Sequence, residues 1–339
     1  MRRVILIIPL VSAVVGCGGP APESEPVPSS SSMTTVGLMY GVGGRGDQAY
    51  NDSVAFGLDR AKVEFGLRTR ELGALAGEGD APRIEGLRLL VRSGCNPIIG
   101  VGFPNAAAVK QVAAEFPRVR FALLDDASAT AANITNLVFA VNEGAFLVGA
   151  AGALKSTKNS LGFVGGVNAP GIHAFEVGYR AGIAHVRPKD RIQVEYLSQP
   201  PDLSGFYNPP RARAVAARMY GSGADVVFQV AGASGAGVFE AALAAEKWAI
   251  GVVTDQAETA NPSVRGRIIT SMVKEVDVAV YDFIFSVLRG AVKTGSVTYD
   301  LKAGGVDYTT TGGHIRNFVP RLNELKRQII NGTIKVPTG

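Results

Sequence analysis

Residues 94–126 and 223–255 read as two copies of one unit, offset by 129 residues without a gap. The first copy is GCNPIIGVGFPNAAAVKQVAAEFPRVRFALLDD and the second is GADVVFQVAGASGAGVFEAALAAEKWAIGVVTD. Each opens on a Gly, enters an apolar β-rich run and breaks at Gly102 or at Ala231-Gly232. An Ala/Val-rich helix follows, then a second apolar strand ending in a carboxylate, Asp126 or Asp255. A repeated strand–helix–strand unit predicts two similar lobes. Lobes that present the carboxyl ends of parallel strands to each other enclose a cleft, the usual seat of a small ligand in open α/β sheets.

The chain ahead of the first lobe is built differently. Arg2-Arg3, a short apolar run and small residues at the cut describe a secretory signal over 1–16, too short to span a bilayer. Cys17 directly follows Val-Val-Gly, which resembles a bacterial lipobox and makes Cys17 the expected lipidation site and new N-terminus. Residues 17–33, rich in Pro, Ser, Gly and Glu, read as a flexible tether to a domain starting near Thr34. The expected location is the cell envelope, held to a membrane by lipid and facing periplasm or exterior. No apolar stretch of spanning length follows the signal.

With 339 residues the chain has room for two domains, and 47% hydrophobic, 19% charged and 42 Gly suit a globular α/β protein. Strand and helix patterns alternate throughout, arguing for parallel sheets covered on both faces. Helices are expected near 51–65, 82–93, 143–154, 172–186, 209–220, 276–288 and 319–330. A hairpin-like stretch, SVTYDLKAGGVDYTTTGG, precedes the last of them. The N-terminal lobe is expected to comprise 34–140 plus about 270–295, and the C-terminal lobe 141–269 plus about 296–339. The formal charge of +5 falls to +3 without Arg2 and Arg3, and the basic residues are scattered, so nothing points to nucleic acid. Two Cys and the scattered His173, His185 and His314 build no disulfide framework and no metal site.

Several segments could carry chemistry. Gly41-Val42-Gly43-Gly44-Arg45-Gly46 fits a dinucleotide fingerprint, but Asp47–Tyr50 separates its last Gly from the helix, and an exported protein has little access to NAD; no cofactor is expected. No nucleophile elbow occurs, since Gly232-Ala-Ser234-Gly235 has its second Gly one place early. Asp126 and Asp255 are expected to face each other across the cleft, where a carboxylate is a bidentate acceptor for hydroxyls or amines. Asp47, Tyr50, Asn51 and Asp52 cluster at the first helix N-terminus, with Asn51 or Asp52 as a possible cap. Tyr50 can stack on a planar ligand, and Phe206-Tyr207, in the loop LSGFYNPP, supply a second plate from the other lobe. Lys274, at the end of ITSMV, would face the cleft with Asp255 fixing it there.

Together these residues resemble the basic-membrane-protein family, the lipoprotein substrate-binding proteins of ABC transporters that include purine-nucleoside receptors. The likeness runs from about Thr35 to Leu325. Asp47–Asn51 stands where the family has Asp-Lys-Ser-Phe-Asn. FALLDD, GFYNP, ADVVFQVAGASGAGVFEAA and GVVTDQ followed by ITSMVKEVDVAVYD match further family motifs in order and spacing. The resemblance implies a type I periplasmic-binding-protein fold: two Rossmann-like lobes joined by crossover strands and closing on a ligand. It implies a base held between Tyr50 and Phe206 and a ribose held by Asp255 and Lys274. Asp125, or Asp126 as the repeat chooses, and the Gly232 backbone complete the shell. This chain departs from the family at Gly41-Val42, where nucleoside binders carry Asp-Asn, at Gln48, Ala49 and Tyr50, and at Val253, where an acid is lost.

The expectation is a lipid-anchored, non-enzymatic solute-binding protein of an ABC importer, taking a nucleoside-like ligand and docking on a permease. An envelope sensor that signals to a regulator, an envelope hydrolase using the facing carboxylates, and a family member binding a non-nucleoside ligand are the alternatives.

Overall fold

Two six-stranded sheets organise the chain, and the polypeptide passes between them three times. The computed structural model describes residues 33–74 and 77–338, so the expected secretory signal, Cys17 and the expected tether up to Ser32 lie outside the described residues. The first sheet holds β1 (Thr35–Val42), β2 (Arg68–Ala74), β3 (Ile98–Val101), β4 (Phe121–Leu124), β5 (Ile134–Phe139) and, from far along the chain, β11 (Gly295–Tyr299). Its order is β11-β5-β4-β3-β1-β2, parallel throughout. The second sheet holds β6 (Ser160–Val167), β7 (Arg191–Ser198), β8 (Val226–Val230), β9 (Trp248–Val253), β10 (Ile268–Lys274) and β12 (Val306–Tyr308), in the order β12-β10-β9-β8-β6-β7. Only β12 runs antiparallel to its neighbour.

The alternation expected from the sequence is therefore present, and its cause is visible in single strands. Every residue of β3, β4 and β8 is buried, as short apolar runs covered on both faces must be. The first lobe packs α1 (Tyr50–Phe65), α2 (Asp80–Arg92), α3 (Ala106–Glu115) and α9 (Val276–Leu288) around its sheet. α1 and α9 approach so closely that a Cβ at Gly57 would lie 2.8 Å from the Asp277 Cα. The second lobe uses α4 (Val141–Lys155), α5 (Pro170–Val186), α6 (Pro209–Gly221), α7 (Gly235–Ala244), the single-turn α8 (Gln256–Thr259) and α10 (Val319–Ile330). α4 is apolar on all sides, with 12 of its 15 residues buried, because α5, β10, β12 and α10 surround it.

The chain crosses after β5 into α4, after β10 into α9, and between β11 and β12. Sheet membership thus changes at about 140, 275 and 300, where the sequence reading put the second and third changes near 270 and 295. The hairpin-like reading of 296–313 is overturned. β11 adds to the edge of the first sheet beside β5, while β12 adds to the second beside β10. Two β-prone runs around Ala303-Gly304-Gly305 look locally like a hairpin, but each strand pairs its backbone with an open sheet edge, and a sequence does not display edges.

The internal repeat is real at the level of structure and slips by one residue within the unit. β3 and β8 occupy matching places, as do α3 and α7. Yet Ile98 pairs with Phe121, 23 positions on, whereas Val226 pairs with Trp248, 22 positions on. The counterpart of Asp125 in the second lobe is consequently Val253. Both close the second strand of their unit in the left-handed region, at φ 60° and 69°. Asp255 has no such counterpart role.

Candidate functional site

A cavity of about 500 Å³ opens between the sheets at the carboxyl ends of β1, β3, β4, β8, β9 and β10. Asp47, Tyr50, Asn51, Asp125, Asp126, Phe206, Gly232 and Lys274 all line it. The structure brings together these eight residues, which span 228 positions of sequence from Asp47 to Lys274. Asp255 is not among the lining residues.

Lys274 is the centre of the arrangement. Its side chain is only 3% exposed and its ammonium is paired with the Asp125 carboxylate from the other lobe. The Nζ also sits 4.8 Å from the Tyr50 ring centre and 4.7 Å from that of Phe139, held between two aromatic faces. Burial pushes the lysine below its usual pKa, and the Asp125 charge works against that shift. A second contact across the lobes joins the Thr254 hydroxyl to the Gln48 carbonyl at 3.5 Å. An apolar cluster also crosses the mouth, with Val42 and Phe103 meeting Val167, Ala169, Leu203, Phe206 and Tyr207.

The N-terminal lobe contributes a cap as well as a wall. The Asp47 carboxylate accepts from the N–H groups of Ala49 (3.0 Å), Asn51 (2.9 Å) and Asp52 (3.1 Å), so it satisfies the free donors at the start of α1. Asn51 and Asp52 are therefore not the cap. Asn51 Nδ2 donates to the Val42 carbonyl and to Asp47, and Asp52 accepts from Gly46 and Gln48. Gly43, Gly44 and Gly46 all have positive φ, which explains the glycines of the turn without a bound phosphate. Burial raises the Asp47 pKa although three backbone donors oppose it. Asn51 Oδ1 is buried and finds no hydrogen-bond partner among the described residues, and burial, then the nearby Asp125 charge, push the buried Tyr50 phenol well above its usual pKa. The Asp126 carboxylate accepts from the Ser128 N–H at 2.7 Å and holds its own loop.

The aromatic plate of the other lobe is fixed from behind. Phe206 ends a short turn, Ser204–Phe206, and lies on Gly166, where a Cβ would come within 2.9 Å of the ring Cε1. Ser234 Oγ donates to the Gly205 carbonyl at 2.7 Å and accepts from the Asn208 N–H at 2.6 Å. Ser198 Oγ accepts from the Gly205 N–H at 3.1 Å and donates to the Asp202 carbonyl at 2.7 Å. Two hydroxyls thus clamp the loop that carries Phe206 and Tyr207. Under the end of β9, Gln256 Oε1 accepts from the Gln229 amide at 2.7 Å and from the Val252 N–H at 2.9 Å.

The full span of the described domain matches one family model, over residues 34–339, described as ABC transporter substrate-binding protein, PnrA-like, of the Bmp family. The chain belongs to the Bmp family. A protein of Listeria monocytogenes named CD4+ T-cell-stimulating antigen is 31% identical to this Bmp chain over 95% of it and 93% of its own length. An ABC transporter nucleoside-binding protein of Lactococcus lactis is 34% identical over 73% of this chain and 72% of its own length. Among solved structures, an ABC-transporter solute-binding protein of Aeropyrum pernix superposes with a TM-score of 0.79 at 26% identity, covering 90% of this chain and 94% of that one. The fold is the two-sheet α/β architecture of type I periplasmic binding proteins, as the sequence motifs implied.

In this Bmp chain the expected contact between Asp255 and Lys274 is not made. Asp255 does not fix Lys274, whose ammonium meets Asp125 instead. It caps α8, accepting from the Ala257 N–H at 3.2 Å and from the Thr311 hydroxyl. β9 has already turned away at the left-handed Val253, so Asp255 falls in the following turn, and the lysine finds Asp125 instead. Replacing Asp255 with Ala is accordingly expected to cost about 0.5–2 kcal/mol of stability, the usual worth of a helix cap, and to leave ligand affinity within about twofold. Denaturant unfolding beside calorimetry checks both halves. Sequence reasoning missed Phe139, Phe103 and Phe175 as cavity residues. Phe139 had a usable signal, an aromatic at a strand end just before a predicted crossover. Val253 stood out in the sequence as a departure from the family motif, but the repeat's one-residue slip hid its correspondence with Asp125.

Proposed function

We propose that this chain is a lipid-anchored receptor that captures a nucleoside-like ligand between its lobes by hinge closure and presents it to an ABC permease. It binds without turning its ligand over. The observation that carries the reading is Lys274, which sits on a strand of one sheet and meets Asp125 on the other inside the cavity. Groups contributed from both sheets converge only when the lobes are together, so a ligand touching both favours that state and shifts the population toward it. The three chain crossings are the natural hinge. Tyr50 and Phe206, from opposite lobes, suit a flat ligand, and the anchor follows from the Val-Val-Gly-Cys17 signal.

A thermal-shift and calorimetry screen of nucleosides, bases and sugars with the full chain in detergent tests the reading. A nucleoside or base is expected to raise the melting temperature in a concentration-dependent way. Phe206→Ala is expected to weaken that ligand by about 1–3 kcal/mol, the worth of one stacking plate. Its melting temperature without added ligand should stay close to that of the natural chain. Ligands drawn only from the sugar set, or an affinity unchanged in Phe206→Ala, would remove the nucleoside reading.

A further inference from the structure

The carboxylates and the amide of the cavity lining, Asp47, Asp125, Asp126 and Asn51, all come from the N-terminal lobe. On that lobe Asn51 Oδ1 is buried without a partner among the described residues, and the buried Tyr50 phenol lies close enough to Asp125 for that charge to add to burial in raising its pKa. On the second lobe the side chains that β8, β9 and α5 bring to the lining are all apolar, among them Val230, Val252, Val253, Ile172 and Phe175. Lys274 belongs to that lobe, but its ammonium is committed to Asp125.

Val253 stands out for two independent reasons. It is the structural counterpart of Asp125, so the pseudo-symmetry of the lobes puts a branched alkyl group where the other lobe has a carboxylate. It also holds φ at 69°, a conformation that Asn, Asp and Gly tolerate and that a β-branched residue adopts only under strain. Val253 and Val273 are partners in the β9–β10 ladder, which places Val253 beside the strand end bearing Lys274. A ligand hydroxyl brought to that spot would be taken from water and set against methyl groups, where the other lobe offers a carboxylate at the matching position.

From this we infer that Val253 is a specificity-determining residue that selects, at this site, ligands lacking hydroxyl groups on the end facing β9. The ligand class is an amphipathic, deoxygenated nucleoside or a similar ring compound. Its hydrogen-bonding groups are read by Tyr50, Asn51 and the Asp125–Lys274 pair, and its apolar end lies on Val253. The inference rests on the nucleoside-like reading above and narrows it.

The test is calorimetry of the full chain in detergent with adenosine, guanosine and uridine, each beside its 2′,3′-dideoxy counterpart. In the natural chain the dideoxy member of a binding pair is expected to bind at least tenfold tighter. Val253→Asp is expected to reverse that preference by tenfold or more while keeping or raising the melting temperature, because Asp accepts the left-handed backbone. Val253→Asn, uncharged and equally tolerant of that backbone, should move the ratio in the same direction by less. A natural chain that prefers the hydroxylated member, or a ratio unmoved in both variants, overturns the inference while leaving the nucleoside reading intact. Failure of every nucleoside to bind either chain overturns the nucleoside reading, and the inference falls with it.

Discussion

Asp125→Asn is expected to destabilise the protein by about 3–5 kcal/mol at neutral pH, the range for removing one partner of a buried ion pair. The reason is the environment left to Lys274, whose side chain is 3% exposed and whose other close neighbours are the faces of Tyr50 and Phe139. Those faces attract a cation but do not accept its protons as a carboxylate does. The sign of the pH dependence follows. Burial already lowers the Lys274 pKa from its ordinary 10.5, and Asp125 is what opposes that. Without Asp125 the folded lysine loses its proton at lower pH still, while the unfolded lysine keeps its own. Between those two values the unfolded state binds more protons, so the variant should grow more stable as pH rises. Denaturant unfolding at neutral and alkaline pH measures this, and a destabilisation independent of pH would refute the account. Combining Asp125→Asn with Lys274→Met removes both charges and should recover most of the lost stability, since such pairs are often replaceable by apolar groups. The double variant should still bind ligand poorly.

Gly182→Val should cost about 3 kcal/mol or more, at the upper end for overpacking a well-packed interface. Helix propensity alone argues the other way, because glycine inside a helix is about 1 kcal/mol worse than alanine. The tertiary contact decides. A Cβ at Gly182 would lie 2.8 Å from the carbonyl carbon of Phe146, and one at Gly178 would lie 2.7 Å from the Asn142 Cα. Both neighbours are backbone, so no rotamer relieves the clash and α4 must move off α5. Phe175 on α5 lines the cavity, so the displacement should reach the ligand as well. Gly171, on the same helix, would place a Cβ in open space. Gly171→Ala is thus the control, expected to be neutral or slightly stabilising in the same thermal unfolding experiment.

These two cases show where the sequence is legible. α9 and α10 were readable to the residue, because apolar spacing over a dozen positions is a local property. The tight α4–α5 contact was not, since glycines inside helices carry no label saying what approaches them. Tyr50, Phe206 and Lys274 could be singled out because an aromatic in a Gly/Pro loop, or a lysine closing an apolar strand, is conspicuous against its neighbours. The partner of Lys274 could not. Asp125, Asp126 and Asp255 look equivalent in a string of letters, and the gap-free repeat favoured the wrong pair. A single residue lost between β8 and β9 moved the second lobe's register, so Val253 took the place that Asp125 holds in the first.

By itself, then, the amino-acid string determined that this protein has two matched α/β lobes with aromatic and charged residues at strand ends. These are consequences of periodicity and composition, which act over neighbouring residues. Which carboxylate meets the lysine, which sheet each late strand joins, and which lobe brings the carboxylates to the cavity were decided only by the tertiary structure. Each depends on distances between segments far apart in the chain, and one residue of slip in a turn is enough to change all of the contacts beyond it.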